Sequence, residues 1–264
     1  MKVAEVISIG NELLIGKIVN TNASWLCGKL THLGFKVRRV TCIGDDLAEI
    51  SSTINEALNR GAELIVTTGG LGPTFDDMTL QGVAQALNLP LEVNEQALKW
   101  VKEKYEQLGL PLTPAREKMA KLPAGAIPIR NEHGAAPGVL LKLKGNRMIL
   151  CLPGVPREMM QLFESSIPLL TEGLTEKFIF KELSFKLSNI PESSLAPIID
   201  EVLRKNPEVY IKSHPRISEA SPIIEIHLST WVKEALTSQA EQKLLAVKRM
   251  LVDLAEKSGG RLLE

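Results

Sequence analysis

The chain has 264 residues, 44% apolar and 23% charged, with Lys plus Arg and Asp plus Glu balanced at 31 each. That length fits one large domain with a smaller one, and that composition fills a core, which excludes a disordered chain. The balanced charge gives no basic surplus for a nucleic-acid partner.

The predicted elements alternate from the start. "VAEVISI" (3–9) is an apolar, β-branched strand with no basic leader and cleavage site before it, and polar "GNELL" breaks it. From Asn22, the residues Leu26, Cys27, Leu30 and Leu33 share a helical face that Gly34 stops. "FKVRRVTCI" is the next strand. Leu47, Ile50, Ile54 and Leu58 mark a helix ended by Gly61, and "ELIVTT" is a continuous apolar strand of the doubly buried kind. Leu80, Val83, Ala84 and Leu87 then repeat with the amphipathic helix period.

Residues 94–121 are read as an exposed helical stretch interrupted by "GLPLTP", followed by a "GVLLKL"/"RMILCL" hairpin around Gly145-Asn146 and a helix in "REMMQLFESSIPLL". Repeated strand–helix units predict a mostly parallel sheet with helices on both faces. A boundary at Thr171 to Glu176 separates residues 1–171 from 172–264. The second part reads strand (178–187), helix after Pro191, "VYIKS", "PIIEIHLST", and a helix striped by Ala240, Leu244, Val247, Leu251 and Leu254 before Gly259-Gly260. Its order, βαββα, is that of a small α+β domain.

No apolar run approaches the roughly twenty residues that cross a bilayer. Cys27, Cys42 and Cys151 have no short pair spacing and read as buried thiols in a reducing compartment. A cytoplasmic protein with no membrane partner is expected.

The chemistry concentrates in four loops. "TTGGLGPTFDDMT" (67–79) ends an apolar strand with Gly69, Gly70 and Gly72, then sets Asp76 and Asp77 before a helix. It is neither G-x-G-x-x-G, because Phe75 stands where the third glycine belongs, nor part of a Walker loop, which "GNELLIGKI" also fails. Bare glycines at a strand's carboxyl end admit phosphate oxygens to backbone N–H groups. On that reading a methyl at Gly70 costs binding more than stability. The structural alternative makes Thr74-x-x-Asp77 a capping box. "GNELLIGKIVNTN" adds Asn11, Glu12, Asn20 and Asn22, with Asn22 as a helix cap in the bland reading. "NEHGAAPG" (131–138) and "LPGVPREM" (152–159) contribute Asn131, His133, Gly138, Pro153, Gly154, Arg157 and Glu158.

Together "SIGNELLIGKIVNTN", "TTGGLGPTFDDMT", "GAAPGVLL" and "LPGVPREM" resemble the CinA family (competence/damage-inducible protein), in family order and over roughly residues 3 to 165. The resemblance implies a three-layer α/β/α, molybdopterin-binding (MogA-like) domain with a ligand groove at the carboxyl ends of its strands. It implies a second, small, KH-like domain, without the G-x-x-G clamp that would bind RNA. It also implies an ADP-ribose pyrophosphatase that uses a divalent ion (magnesium, manganese or another) and releases AMP and ribose 5-phosphate. Members commonly form homodimers. The family's C-terminal amidase domain is not expected in this chain.

In related molybdopterin enzymes the acid matching Asp77 serves metal-nucleotide chemistry. Glu12 matches the acid of a "G-D-E-L" stretch in which Asn11 replaces the aspartate. The expected site therefore has Asp77, Asp76 and Glu12 as catalytic groups, with Asp77 and Glu12 holding the metal. Asn11, Asn20, Asn22, Gly69, Gly70, Gly72, Thr74, Thr79, Asn131, Gly138, Pro153 and Gly154 are expected to line the nucleotide. Two other readings stay open: a molybdopterin-binding or adenylyl-transfer protein using the same groove, and a non-catalytic oligomerisation scaffold.

Overall fold

Six of the seven residues in Val3–Ile9 (β1) are buried, which only a strand covered on both faces permits. The computed structural model describes residues 1–173, 176–216 and 223–263, so the expected boundary segment falls partly outside the described residues. It divides into two compact units: Met1–Thr31 with Phe35–Leu174, and His32–Gly34 with Thr175–Glu264.

In the first unit β1 is followed by α1 (Asn11–Leu14), α2 (Thr21–His32), β2 (Lys36–Ile43), α3 (Leu47–Asn59), β3 (Leu64–Thr68) and α4 (Thr79–Leu87). Then come β4 (Leu91–Val93), α5 (Glu95–Gln107), α6 (Pro114–Glu117), β5 (Lys121–Pro123), β6 (Ile127–Ile129), β7 (Gly138–Leu143), β8 (Arg147–Leu152) and α7 (Pro156–Thr171). One six-stranded sheet runs β2-β1-β3-β8-β7-β6. The pairs β2–β1, β1–β3 and β3–β8 are parallel, whereas β8–β7 and β7–β6 are antiparallel. The expected α/β class with a mostly parallel sheet is the one observed. Ile7, Ile9 and Ile65 of the sheet share a core with Ile50 and Ile54 of α3, Val83 of α4 and Val101 of α5. Parallel pairing has a consequence for function: β1, β2, β3 and β8 all deliver their following loops to one rim.

The second unit contains β9 (Phe178–Ser188), α8 (Glu192–Lys205), β10 (Tyr210–Arg216), β11 (Ile223–Lys233), α9 (Thr237–Lys257) and β12 (Arg261–Leu263). Its sheet order is β10-β11-β9-β12, antiparallel throughout. Burial alternates along β11, the mark of a sheet with one packed face. Ile224, Ile226 and Leu228 pack there with Leu195 and Val202 of α8 and Leu244, Val247 and Leu251 of α9.

"GNELL" ends β1 as expected, and its "NELL" part forms a helical turn. The helical stretch 94–121 is interrupted as expected, with α5 before the break and α6 after it: the chain is reset by Pro111 and Pro114, with Thr113 accepting the Arg116 N–H at 3.4 Å. Other expectations need correction. The stretch ends in β5, which pairs with β4. The strands β4, β5, β6 and β12 are three residues each, too short to show a period of two. Cys151 is buried, its thiol pushed up to about 12 by desolvation, but Cys42 is exposed because β2 is an edge strand. Among the described residues no helix is long and apolar enough to cross a membrane.

One charge in the sheet is enclosed. Glu5 of β1 is wholly buried, and Arg60 at the end of α3 reaches it with Nε at 3.1 Å and Nη2 at 2.8 Å. A buried carboxylate stripped of its partner is expensive. We predict that Arg60→Ala lowers unfolding stability by about 3 kcal/mol in denaturant titration. A Glu5→Met/Arg60→Met double variant should recover most of that loss.

Candidate functional site

The four rim loops enclose an open cavity of about 420 Å³. Glu12 enters from the loop after β1, Asp45 from that after β2, and Asp76 and Asp77 from that after β3; Gly154 and Glu158 follow β8. The rest of the wall is largely apolar, with Tyr105 of α5, Met119, Ala135 and Ala136.

The loop after β3 is organised by Thr74. Its backbone N–H donates to Asp77 Oδ2 at 2.8 Å, and its hydroxyl lies against both Asp76 Oδ1 and Asp77 Oδ2. The Asp77 N–H returns to the Thr74 carbonyl at 3.3 Å. This closed turn is not a helix cap. α4 begins only at Thr79, after Met78, without any side-chain cap. The capping-box expectation fails because Thr74 lies four residues before Met78, the residue at the N-cap of α4. Thr74 holds the Asp76 carboxyl below the usual carboxylate range through its hydroxyl, the Asp76 backbone N–H assists, and the Lys118 charge adds to this.

The glycines serve the protein more than the expected phosphate. A side chain on Gly72 would meet Asp77 Oδ2 at 2.5 Å, and one on Gly10 would meet Glu12 Oε1 at 2.5 Å. Gly69 and Gly70 have φ of +111° and +65°, in the left-handed region. A Cβ on Gly70 would collide with the hydroxyl of Thr79, which is fully buried and donates to the Gly69 carbonyl at 2.8 Å. Gly70 lines the cavity, yet its empty side faces the fold. Thr79 is a structural anchor for the loop, not a wall residue.

The asparagines divide similarly. Asn20, not Asn22, accepts the Ala23 N–H at 3.1 Å at the start of α2, and it also takes a bond from Ser8. Asn22 Nδ2 donates to Thr68 Oγ1 at 3.0 Å and the Gly154 carbonyl at 2.8 Å, while Thr68 Oγ1 donates to the Pro153 carbonyl. Asn20 and Asn22 line a side cavity of about 120 Å³ that shares Ile9, Glu12 and Gly154 with the larger one. Asn11 fixes Asp45: its N–H donates to Asp45 Oδ2 at 2.8 Å, and its Oδ1 accepts the Asp45 N–H at 3.4 Å. Asn131 lies behind the wall. Its amide donates to the Ala136 carbonyl and Glu158 Oε2, and its oxygen accepts the His133 and Gly134 N–H groups. Gly138 opens β7, where a side chain would press on Leu162 at 3.2 Å.

Asp45 is the acid that reading the sequence missed. Burial raises its pKa most, and the like charges of Glu12, Asp76 and Asp77 raise it further. Four carboxylates thus share one pole of the cavity. The missed signal was positional: "GDD" follows β2 as "GGLG" follows β3. Asp46 there explains itself as the α3 cap, accepting the Glu49 N–H at 2.8 Å, which leaves Asp45 without a helix role.

The carboxylate set suits a hard cation. Among the described residues no three His, Cys, Asp or Glu side chains are grouped to hold a metal ion by themselves. A divalent ion here would need further ligands from phosphate or water, the usual habit of magnesium. It would also relieve the repulsion that acts on Asp45. The residues fit such an ion.

A family model described as "Probable molybdopterin binding domain" matches residues 5–172. A protein from Pyrobaculum arsenaticum is 43% identical over 258 residues, covering 97% of this chain and 96% of its own. One from Metallosphaera sedula is 45% identical over 254 residues, covering 94% and 95%. The chain is also similar to the crystal structure of the protein CinA, of unknown function, from Thermoplasma acidophilum. There the identity is 44% and the TM-score 0.61, covering 64% of this chain and 98% of that one.

Two substitutions separate scaffold from chemistry. Gly70→Ala should destabilise the fold by more than about 1 kcal/mol, since left-handed strain and the Thr79 collision combine; denaturant midpoints measure it. Asp45→Asn should raise the unfolding temperature at pH 7. Because its folded pKa is raised, the wild-type carboxyl favours the fold most when neutral, and that contribution is lost as pH rises through the folded pKa. The variant's advantage should therefore vanish below the ordinary carboxylate range, which melting curves from pH 3 to 7 will show.

Proposed function

Because the chain belongs to the Probable molybdopterin binding domain family, we propose that its first unit binds a phosphorylated heterocycle of the molybdopterin type and serves adenylyl transfer to it. One observation carries this reading: four carboxylates gather at one end of a nucleotide-sized cavity whose other walls are largely apolar. Adenylyl transfer joins a phosphate oxygen of the acceptor to the α-phosphorus of a nucleoside triphosphate, and pyrophosphate leaves. A divalent ion supplies charge neutralisation for the phosphates when bound. Asp77 would hold it, with Glu12 and Asp45 beside it. Thr74 keeps Asp77 oriented, and the low proton affinity of Asp76 keeps that carboxylate charged.

Asp45 favours a second reading, hydrolysis of ADP-ribose to AMP and ribose 5-phosphate. A carboxylate of raised pKa is a better general base for an attacking water than an ordinary one. The second unit, with its βαββαβ order, we read as a KH-like support and not as an RNA-binding module.

Purified protein with magnesium should be incubated with ADP-ribose and, separately, with ATP and a pterin phosphate. Pyrophosphate and an adenylylated pterin support the first reading, and AMP from ADP-ribose the second. No product and no binding would leave a scaffold. In either productive case Asp77→Asn should lower turnover by at least about a hundredfold. It should also abolish the rise in melting temperature that metal plus ligand produces in the wild type.

A further inference from the structure

We propose that Glu158 is a specificity-determining residue: its carboxylate reads the adjacent N–H and NH2 donors of a 2-amino-4-oxopyrimidine edge, the edge shared by pterins and guanine. The inference rests on the reading of the cavity as a site for a phosphorylated heterocycle, and it assigns which end takes the ring.

Glu158 lines the same cavity as the four carboxylates but stands apart from them. The charges that raise Asp45 are Glu12, Asp76 and Asp77, and Glu158 is not one of them. Its neighbours belong to the other wall. Gly134, adjoining Ala135 and Ala136, leaves the space that the Glu158 carboxylate fills; a side chain there would collide with Oε2. The 131–136 loop is in turn tied to α5, where Lys104 donates to the His133 carbonyl at 3.3 Å, and Arg130 just before it pairs with Glu103 at 3.4 Å. α5 brings Tyr105, whose ring carries the Arg116 guanidinium 4.3 Å from its centroid. Tyr105, Ala135 and Ala136 give the cavity apolar lining, and Glu158 lines it with them as one fixed carboxylate.

A first-turn glutamate in α7 has a plain alternative role, offsetting the helix dipole or reaching back to its own N-cap. The geometry points elsewhere. Asn131 Nδ2, 27 residues away in sequence, grips Oε2 at 2.7 Å, and the other bonds of Asn131 lock that side chain in turn. Among the described residues no donor reaches Oε1. An ionised carboxylate only accepts hydrogen bonds, and it has lone pairs to spare after Asn131. Two neighbouring donors on a planar ring satisfy it with charge-assisted bonds. Adenine presents a ring acceptor beside its amino group, which sets a lone pair against the carboxylate. The Glu158 end therefore selects a pterin or guanine ring and disfavours adenine.

The test uses the full chain with magnesium and three probes: GMP, pterin-6-carboxylate and AMP, titrated calorimetrically. Wild type should bind GMP and the pterin about tenfold or more tightly than AMP, since a hydrogen bond to a charged group has that weight. Glu158→Gln keeps an acceptor for Asn131 but loses the second, and the GMP to AMP preference should collapse while the melting temperature holds. Glu158→Asp, which withdraws the carboxylate, is the second variant should the first fold poorly. If the variants weaken all three probes equally, or wild type prefers AMP, the edge-reading role is wrong while the cavity's ligand class stands. If wild type binds none of them and not ADP-ribose either, the underlying reading fails with it.

Discussion

The candidate site depends on parallel pairing of β1, β3 and β8. β3 is buried along its whole length, with β1 on one side and β8 on the other. Because the three strands point the same way, Gly10, Gly69 and Pro153 leave the sheet together. The Gly69 N–H donates to the Leu152 carbonyl at 3.0 Å, so the central glycine is still part of the sheet as the chain turns away. Asn22 then bridges the ends of β3 and β8. Every loop that carries an acid is anchored to this frame within a few residues.

That anchoring explains how like charges can be held close. Mutual repulsion pushes Glu12, Asp45, Asp76 and Asp77 apart, and it adds to burial, the larger cause, in raising the pKa of Asp45. Three of the acids are restrained by a specific neighbour. Asn11 holds Asp45, and Thr74 holds Asp76 and Asp77. Gly10 and Gly72 leave room for the carboxylates of Glu12 and Asp77. Such tolerated strain is characteristic of sites where stability yields to function.

Long periodic elements were legible from the sequence: the doubly buried "ELIVTT", the α3 stripe and the hairpin after Gly138 all signal through repetition. Three-residue strands do not, since pairing partners decide them. Within the site, the loops were legible because glycine and acid stand out beside an apolar strand. The direction in which each glycine's empty side faces was not. Gly70 and Gly72 look alike in the sequence, yet one clears Thr79 and the other clears Asp77. Asparagine roles were hidden for the same reason: whether Asn20, Asn22 or Asn131 caps a helix, ties two loops or meets a ligand depends on partners that range from 2 to 132 residues away. Asp45 stayed unseen because no glycine cluster marks the loop after β2, and only the fold brings this acid beside Glu12, Asp76 and Asp77.

The charge pattern also constrains any ligand that carries phosphate. A phosphate approaching this pole meets carboxylates, not the arginines or lysines of an ordinary anion site. Lys118 is nearby, but its ammonium donates to the Thr74 carbonyl at 2.6 Å, so it steadies the acidic turn instead of extending into the cavity. Neither α4, which starts at Thr79 beyond the acids, nor α1, a single turn, compensates them. Repulsion between phosphate and four carboxylates is removed only by a cation that both can share. On the proposed reading, metal and phosphorylated ligand are therefore mutually dependent, each weak alone. Linkage makes the dependence symmetrical, because whatever the ion adds to ligand affinity the ligand adds to ion affinity. The cluster of acids is then not a metal site awaiting a substrate but half of one, and the phosphate is the other half.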